Sequence, residues 1–364
     1  MFNPIDIIMK KILAINPGAT STKVAIFDGN EQIFLKNIKH STEELSQFAT
    51  IADQYEFRKN IITSTLEAEG INLHDISIVM GRGGLVKPLK SGVYRVNDLM
   101  LEHLKMGYSG QHACNLGGLI ADSIAKYIGL ECAYIADPVM VDEMNDIARI
   151  SGHPMFERQS IFHALNHKAI GRMYAKDNGK RYEDLNLIIT HMGGGVSVGA
   201  HEKGKVIDVN QALDGEGPFS PERSGTLPMN QFLKACFSGK YTQQDMQKML
   251  VGKGGYVGYF GSNDAYAVEK AAIAGDPKAE LLEEAFAYQV AKQIGENACV
   301  LKGKVDAIIL TGGIAYGKPV VARIKKYVEW IAPVAVYPGE DEMAAMALNA
   351  NMILNKEIEI QEYV

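Results

Sequence analysis

The chain has 364 residues, 47% of them hydrophobic and 22% charged, with 43 acidic and 37 basic residues and a net charge of −6. This is the composition of a globular protein long enough for two domains, not of a disordered or fibrous one. No basic block stands out, which excludes an extended nucleic-acid surface and leaves any phosphate to individually placed groups.

Cys114, Cys132, Cys236 and Cys299 are far apart and form no CxxC pair. Ordinary buried thiols in a reducing compartment are expected, rather than a zinc knuckle or a redox dithiol. The N-terminal MFNPIDIIMKK has a proline and an aspartate where a signal peptide is apolar, and no apolar run approaches the roughly 20 residues that span a bilayer. A cytoplasmic protein without membrane or nucleic-acid partners is predicted.

Strand-like and helix-like patterns alternate along the chain, which predicts an α/β fold. In chain order, strands are expected at Ile12–Ile15, Val24–Phe27, Ile76–Met80, Ala133–Ile135, Leu187–Thr190, Val196–Ala200, Val206–Val209 and Ala307–Leu310. Helices are expected over Thr42–Glu69 with a break, Leu116–Ile128, Arg158–Lys176, Lys278–Leu301 and Met343–Asn355. The chain also echoes itself. A strand, Asn16-Pro17-Gly18, a second strand and Asp28-Gly29 at the start match a strand, His191-Met192-Gly193, a second strand and Lys203-Gly204 later, at one constant offset. Two related halves, each opening with a hairpin, would hold a ligand in a cleft between them. The boundary is expected near Asn145–Ser160.

The hairpin turns carry the first chemical signal. INPGATSTK surrounds a glycine turn with hydroxyls and one lysine, suited either to an oxyanion nest or to a polar hairpin with a surface Lys23. THMGGGVSVG has three consecutive glycines, Gly193, Gly194 and Gly195, where a tight turn needs one; close approach of a phosphate accounts for the others. Neither stretch is a GxxxxGK[ST] or GxGxxG loop. ILTGGIAYG, with Gly312 and Gly313, reads equally as a base or ribose contact and as a strand-to-helix turn.

Charged residues supply the second signal. Arg82 ends an apolar strand between glycines, and Arg223 lies in a long Gly- and Pro-rich loop. Both are placed for bidentate contact with carboxylate or phosphate. Asp137 ends the strand AYIAD, where α/β proteins place metal ligands and acids, though a turn cap serves as well. His163 and His167 in SIFHALNHKA fall away from the apolar stripe of the expected helix, so that one faces a cleft and the other is solvated, with metal binding or a structural role for both as the alternatives. HALNH lacks the glutamate of HExxH. Glu340, Asp341 and Glu342 precede the last helix, where the helix dipole favours acids and where Mg²⁺ is an alternative ligand.

Taken together, INPGATSTK, MGRGG, IADPVMVDEM, SIFHALNHKA, THMGGGVS, SPERSG, LTGGIAYGKP and YPGEDEM resemble the acetate kinase family of short-chain carboxylate kinases, nearly end to end. The resemblance implies two duplicated actin-like, ribonuclease-H-like α/β domains with mixed sheets flanking a nucleotide cleft. These would be an N-terminal domain over 1–150, joined by a C-terminal helix within 343–364, and a C-terminal domain over 151–342 carrying most of the nucleotide site. It implies reversible transfer of the ATP γ-phosphoryl group to a carboxylate with Mg²⁺, in a homodimer. By position, Arg82, Asp137, His163 and Arg223 take the catalytic roles. Asn16, Lys23, His191, Gly193, Gly194, Gly195, Asp264, Gly312 and Gly313 take the ATP/ADP-binding roles, and Asn16, Asp137 and Asp341 the metal, with Glu340 and Glu342 as competitors of Asp341. Departures such as Gly194, Ala19, Tyr266 and FHALNH from the acetate pattern point to a larger acid, butyrate or a branched relative. Two other readings of such a fold are a sugar kinase and a non-enzymatic nucleotide-dependent binding protein.

Overall fold

The structure, a computed structural model, describes residues 10–213 and 215–364. The N-terminal segment read above for a signal peptide therefore lies, through residue 9, outside the described residues. The chain divides into two compact units: the first runs to Val141 and resumes over Asp341–Val364, and the second is Asp142–Glu340.

Among the described residues the first unit holds seven strands. β1 (Lys11–Pro17), β2 (Ser21–Asp28) and β3 (Glu31–Lys39) form an antiparallel meander. β4 (Ile76–Arg82) runs parallel to β1, and β6 (Tyr134–Ala136) parallel to β4. β5 (Val93–Arg95) and β12 (Ile360–Gln361) complete an edge, giving the order β12-β5-β6-β4-β1-β2-β3. In β1 and β2 the apolar runs are buried on both faces, as expected for strands covered by helices. β3 escapes sequence detection because it is an edge: EQIFLKNIK is mostly exposed and interleaves charges that discourage further pairing.

The second unit repeats this plan. β7 (Asn186–Met192), β8 (Val196–Glu202) and β9 (Lys205–Val209) form the meander. β10 (Ala307–Gly312) is parallel to β7, and β11 (Val334–Pro338) is parallel to β10. The helix Pro277–Val300 begins at an Asp276 cap, with proline at its first position, and buries Phe286, Val290 and Ile294 in the core of this unit.

One expected helix is shorter than its pattern. Arg158–His163 is not helical; the helix spans Ala164–Asp177, with His163 at its cap position. Arg158 instead donates to Ala148 O, Asp208 and Val209 O, tying its segment to β9, so the apolar periodicity there reflects burial of irregular chain.

Candidate active site

In the first unit, three neighbouring parallel strands end side by side with polar residues: Asn16 in β1, Arg82 in β4 and Asp137 just past β6. Glycines make this edge possible. A Cβ on Gly81 would meet the backbone of Gly117, one on Gly117 would meet the backbone of Arg82, and one on Gly83 would meet Pro138. The strand carrying Arg82 thus lies against the helix Asn115–Tyr127 at a distance only glycine permits.

The Glu342 carboxylate joins this edge, ion-paired with Arg82 and accepting from the Asn16 amide. Asp341, its neighbour, is spent on the helix: its Oδ1 accepts from Ala344 N at 2.8 Å. Lys23 is exposed and pairs directly with Asn16 across β1 and β2, which puts both side chains on one face.

Asp137 is 1% exposed, with φ of 38°, a conformation few non-glycine residues adopt. Its Oδ1 accepts from Ser91 Oγ at 2.6 Å and Gly92 N at 2.8 Å. A backbone held outside the favoured regions at a strand end is the kind of feature that functional geometry maintains.

In the second unit the corresponding strand ends carry His191, the glycine turn and Gly312-Gly313. The His163 ring stacks on His191 with centroids 3.8 Å apart and planes within 13°. His191 Nδ1 lies 2.9 Å from Asn166 Oδ1, while its Nε2 is 3.0 Å from a Glu340 oxygen without hydrogen-bond geometry.

Behind His163 runs a buried chain that the sequence reading missed. His163 Nδ1 is 2.9 Å from Ser197 Oγ, which is 2.8 Å from His167 Nε2; His167 Nδ1 is 3.1 Å from His201 Nε2, and His201 Nδ1 is 2.6 Å from Tyr182 OH. His167 is fully buried, so it is not the solvated member expected above. Burial pushes the pKa of both His167 and His201 well below the usual histidine value. The neutral His167 and His201 rings each have one donor and one acceptor nitrogen, so their orientation is coupled to that of Tyr182, while the Ser197 hydroxyl, able to accept from both His163 and His167, ends that constraint. A signal was present: Ser197, Gly199 and His201 alternate along β8 onto one face, and a side chain at Gly199 would crowd both imidazoles.

The three glycines of the turn differ. A Cβ on Gly193 would meet Glu340, and one on Gly195 would meet the Arg223 guanidinium, whose Nη1 donates to Ala212 O at 2.6 Å. Gly194 alone is uncrowded, a Cβ there meeting only a Glu222 oxygen at 4.0 Å, so a close phosphate is not needed to explain the other two. Gly312 has φ of 87° and presses on the backbone of Met192, which makes it a strand-to-helix turn residue; Gly313 has free space around it.

Gly193, Gly194, Asp264, Gly313 and Glu340 line a cavity of about 530 Å³ with Tyr256, Tyr266 and Tyr316. Asp264 also caps the helix Ala265–Ile273 through Tyr266 N. His191 and Gly312 lie outside the lining, as do His163 and Arg223.

Two sheets on one duplicated plan, with polar residues gathered at the ends of their parallel strands, define an α/β protein of the actin-like type. Solved structures of similar fold include an acetate kinase from Porphyromonas gingivalis (TM-score 0.77, 18% identity, 95% of this chain and 100% of that one). Another is a propionate kinase from Francisella tularensis (TM-score 0.72, 20% identity, 94% and 99%). The model of the acetokinase family matches residues 155–331. Butyrate kinase 2 of Clostridium acetobutylicum is 54% identical over 353 residues, covering 97% of this chain and 99% of that protein. The chain belongs to the acetokinase family.

Proposed function

We propose that this chain transfers the γ-phosphoryl group of ATP to butyrate or a branched relative, giving an acyl phosphate and ADP reversibly. The observation that carries the substrate is the 54% identity, over nearly the whole chain, to a protein named butyrate kinase. A carboxylic acid with a pKa near about 4.3 is already ionised at neutral pH, so the nucleophile needs no general base. The obstacle is repulsion between two anions, which placed cations and amides relieve.

In this reading Arg82 receives the substrate carboxylate, and its hold on the Glu342 carboxylate supports that preference. Asp137 orients the reacting groups and moves no proton. His163 and Arg223 steady the transferring phosphoryl group. Asn16, Lys23, His191 and Gly193–Gly195 attend the phosphates, and Asp264 and Gly313, which line the cavity described above, attend the adenosine; Gly312, expected beside them, serves the turn that places Gly313.

Mg²⁺ would be held by Asn16 and Glu342, with Asp137 contributing from the neighbouring strand end; Asp341 is engaged as a helix cap. These are the hard oxygen donors Mg²⁺ takes, and it commonly keeps only one or two protein carboxylates beside phosphates and water. That fits the lack, among the described residues, of any group of three or more His, Cys, Asp or Glu arranged for a metal. When bound, the ion neutralises phosphate charge.

We place the enzyme in the cytoplasm as a homodimer. Its four free cysteines support a reducing compartment, although only Cys114 and Cys132 are buried as expected; Cys236 is half-buried and Cys299, on the outer face of a helix, is exposed. Met229 and Leu233, one turn apart on the helix Met229–Cys236, and Phe237 at its C-cap are 82%, 54% and 84% exposed, which supports self-association. Incubation with ATP and C2 to C5 acids, with hydroxylamine trapping of the acyl phosphate, tests the reaction. Strongest product with butyrate or a branched relative is expected, and no acyl hydroxamate from any acid refutes it.

A further inference from the structure

The tip of the first hairpin, Gly18 to Ser21, rests on a guanidinium that the catalytic reading does not use. Arg58, on the helix Tyr55–Ala68, is 1% exposed. Its Nη1 donates to Gly18 O at 2.7 Å, Ser21 O at 3.2 Å and Thr22 Oγ1 at 3.2 Å. Its Nη2 donates to Ala19 O at 3.0 Å and to Gln54 Oε1 at 2.8 Å, and Nε donates to the same Gln54 oxygen at 3.2 Å. Thr20 O is taken by His40 N at 2.9 Å. Four successive carbonyls are therefore turned into the protein.

A trans peptide points its N–H opposite its C=O. With Gly18 O and Ala19 O fixed inward, the N–H groups of Ala19 and Thr20 face outward; both residues are exposed, and neither N–H has an acceptor among the described residues. Successive outward amides are the elements of an anion nest.

The charge beneath them is uncompensated. Among the described residues Arg58 forms no ion pair, and its interactions there are with carbonyls, a hydroxyl and a carboxamide. Burial pushes its pKa down to about 10, which leaves it cationic at neutral pH. A buried charge without an acidic partner is costly, and dipoles alone offset part of that cost.

We infer that Arg58 is a positioning residue for phosphate: it braces the tip with its amides outward and supplies, from beneath, a positive charge whose counter-ion is the bound phosphoryl group. This rests on the proposed kinase reading for its ligand, not for its geometry.

Gln54→Glu separates the parts of this claim. It keeps the acceptor that holds the guanidinium and adds an internal counter-charge, so the fold is retained and the tip stays braced, yet the pull on an external anion is cancelled. The experiment is a titration with inorganic phosphate, read by amide NMR at Ala19 and Thr20, with thermal melting as the control of folding. In the wild type both amides shift saturably; in Gln54→Glu the phosphate needed rises at least fivefold while the melting point is unchanged or higher. Arg58→Lys, which keeps charge but loses the two-pronged hold, disorders the tip and weakens the response similarly. Wild-type amides unmoved by phosphate, or a Gln54→Glu titration matching wild type, overturns the inference. Absence of carboxylate kinase activity overturns the proposed function instead, and leaves this titration readable. In active enzyme, Gln54→Glu raises KM for ATP about fivefold and leaves KM for butyrate within about twofold.

Discussion

The strand ends of the two units share a topology and differ in chemistry. In the first unit they present fixed charges and a carboxamide: Asn16, Arg82, Asp137 and Glu342, with the tip of the hairpin braced by Arg58. In the second they present glycine, imidazole and space: a turn whose outer glycines are overlaid by Glu340 and Arg223, stacked His163 and His191, and a cavity of about 530 Å³. Duplication of a sheet therefore fixes where functional residues stand but not which they are. In the proposed reading the first edge takes the carboxylate and, at the hairpin tip, phosphate, and the open edge takes the bulkier part of the nucleotide.

That contrast is testable by asking which substrate's kinetics each substitution disturbs. Arg82→Ala is expected to lower kcat/KM for the carboxylate roughly a thousandfold, about 4 kcal/mol, the loss typical of truncating one partner of a buried charge contact. KM for ATP should stay within about twofold, and a matching loss on both substrates breaks the division. Asp137→Asn suits the φ of 38° because asparagine tolerates the left-handed region, so the fold persists. It should lower kcat about a hundredfold with ATP binding retained, measured by initial rates beside nucleotide titration; equal loss of both rejects an orienting role.

In the second unit, Gly313→Val extends a side chain into free space at the cavity wall and should raise KM for ATP about tenfold with melting and butyrate KM unchanged. Gly312→Ala, one residue earlier, should do the reverse. Its φ of 87° and contact with Met192 predict a loss of about 2–4 kcal/mol of stability, read as a lower melting point.

The smallest effect is on acid stability. His167 and His201 are held neutral by burial, whereas unfolding frees them to bind protons near the unperturbed pKa of about 6.5. Stability is thus unaffected by them above that value and falls as pH drops below it, by up to about 1.4 kcal/mol per pH unit for each ring. His201→Gln should make the decline between pH 6.5 and 5 shallower in denaturant melts, and an unchanged slope sets the histidine chain aside as its source.

Much of this was legible beforehand because it is local. Apolar runs such as Ile12–Ile15 and Ala307–Leu310 announce buried strands whatever surrounds them, and the echo of two hairpins foretold the repeated sheet. Edge strand β3 and the irregular stretch before Ala164 were misread for the same reason: their patterns depend on what lies opposite, not on their own period. Glu342 shows the limit at the site. Three consecutive acids look alike in sequence, and only the start of the last helix decides that Asp341 caps it while Glu342 turns to Asn16 and Arg82.

The sequence by itself determined the alternation of elements, the duplicated plan and the residue types available at the strand ends, since these follow from short-range periodicity and turn chemistry. Tertiary structure alone decided the contacts made across long stretches of chain: Arg58 under Gly18, His201 behind His163, and Glu342 beside Asn16. Such contacts join side chains whose separation along the chain carries no signal, because burial and hydrogen bonding depend on neighbours in space.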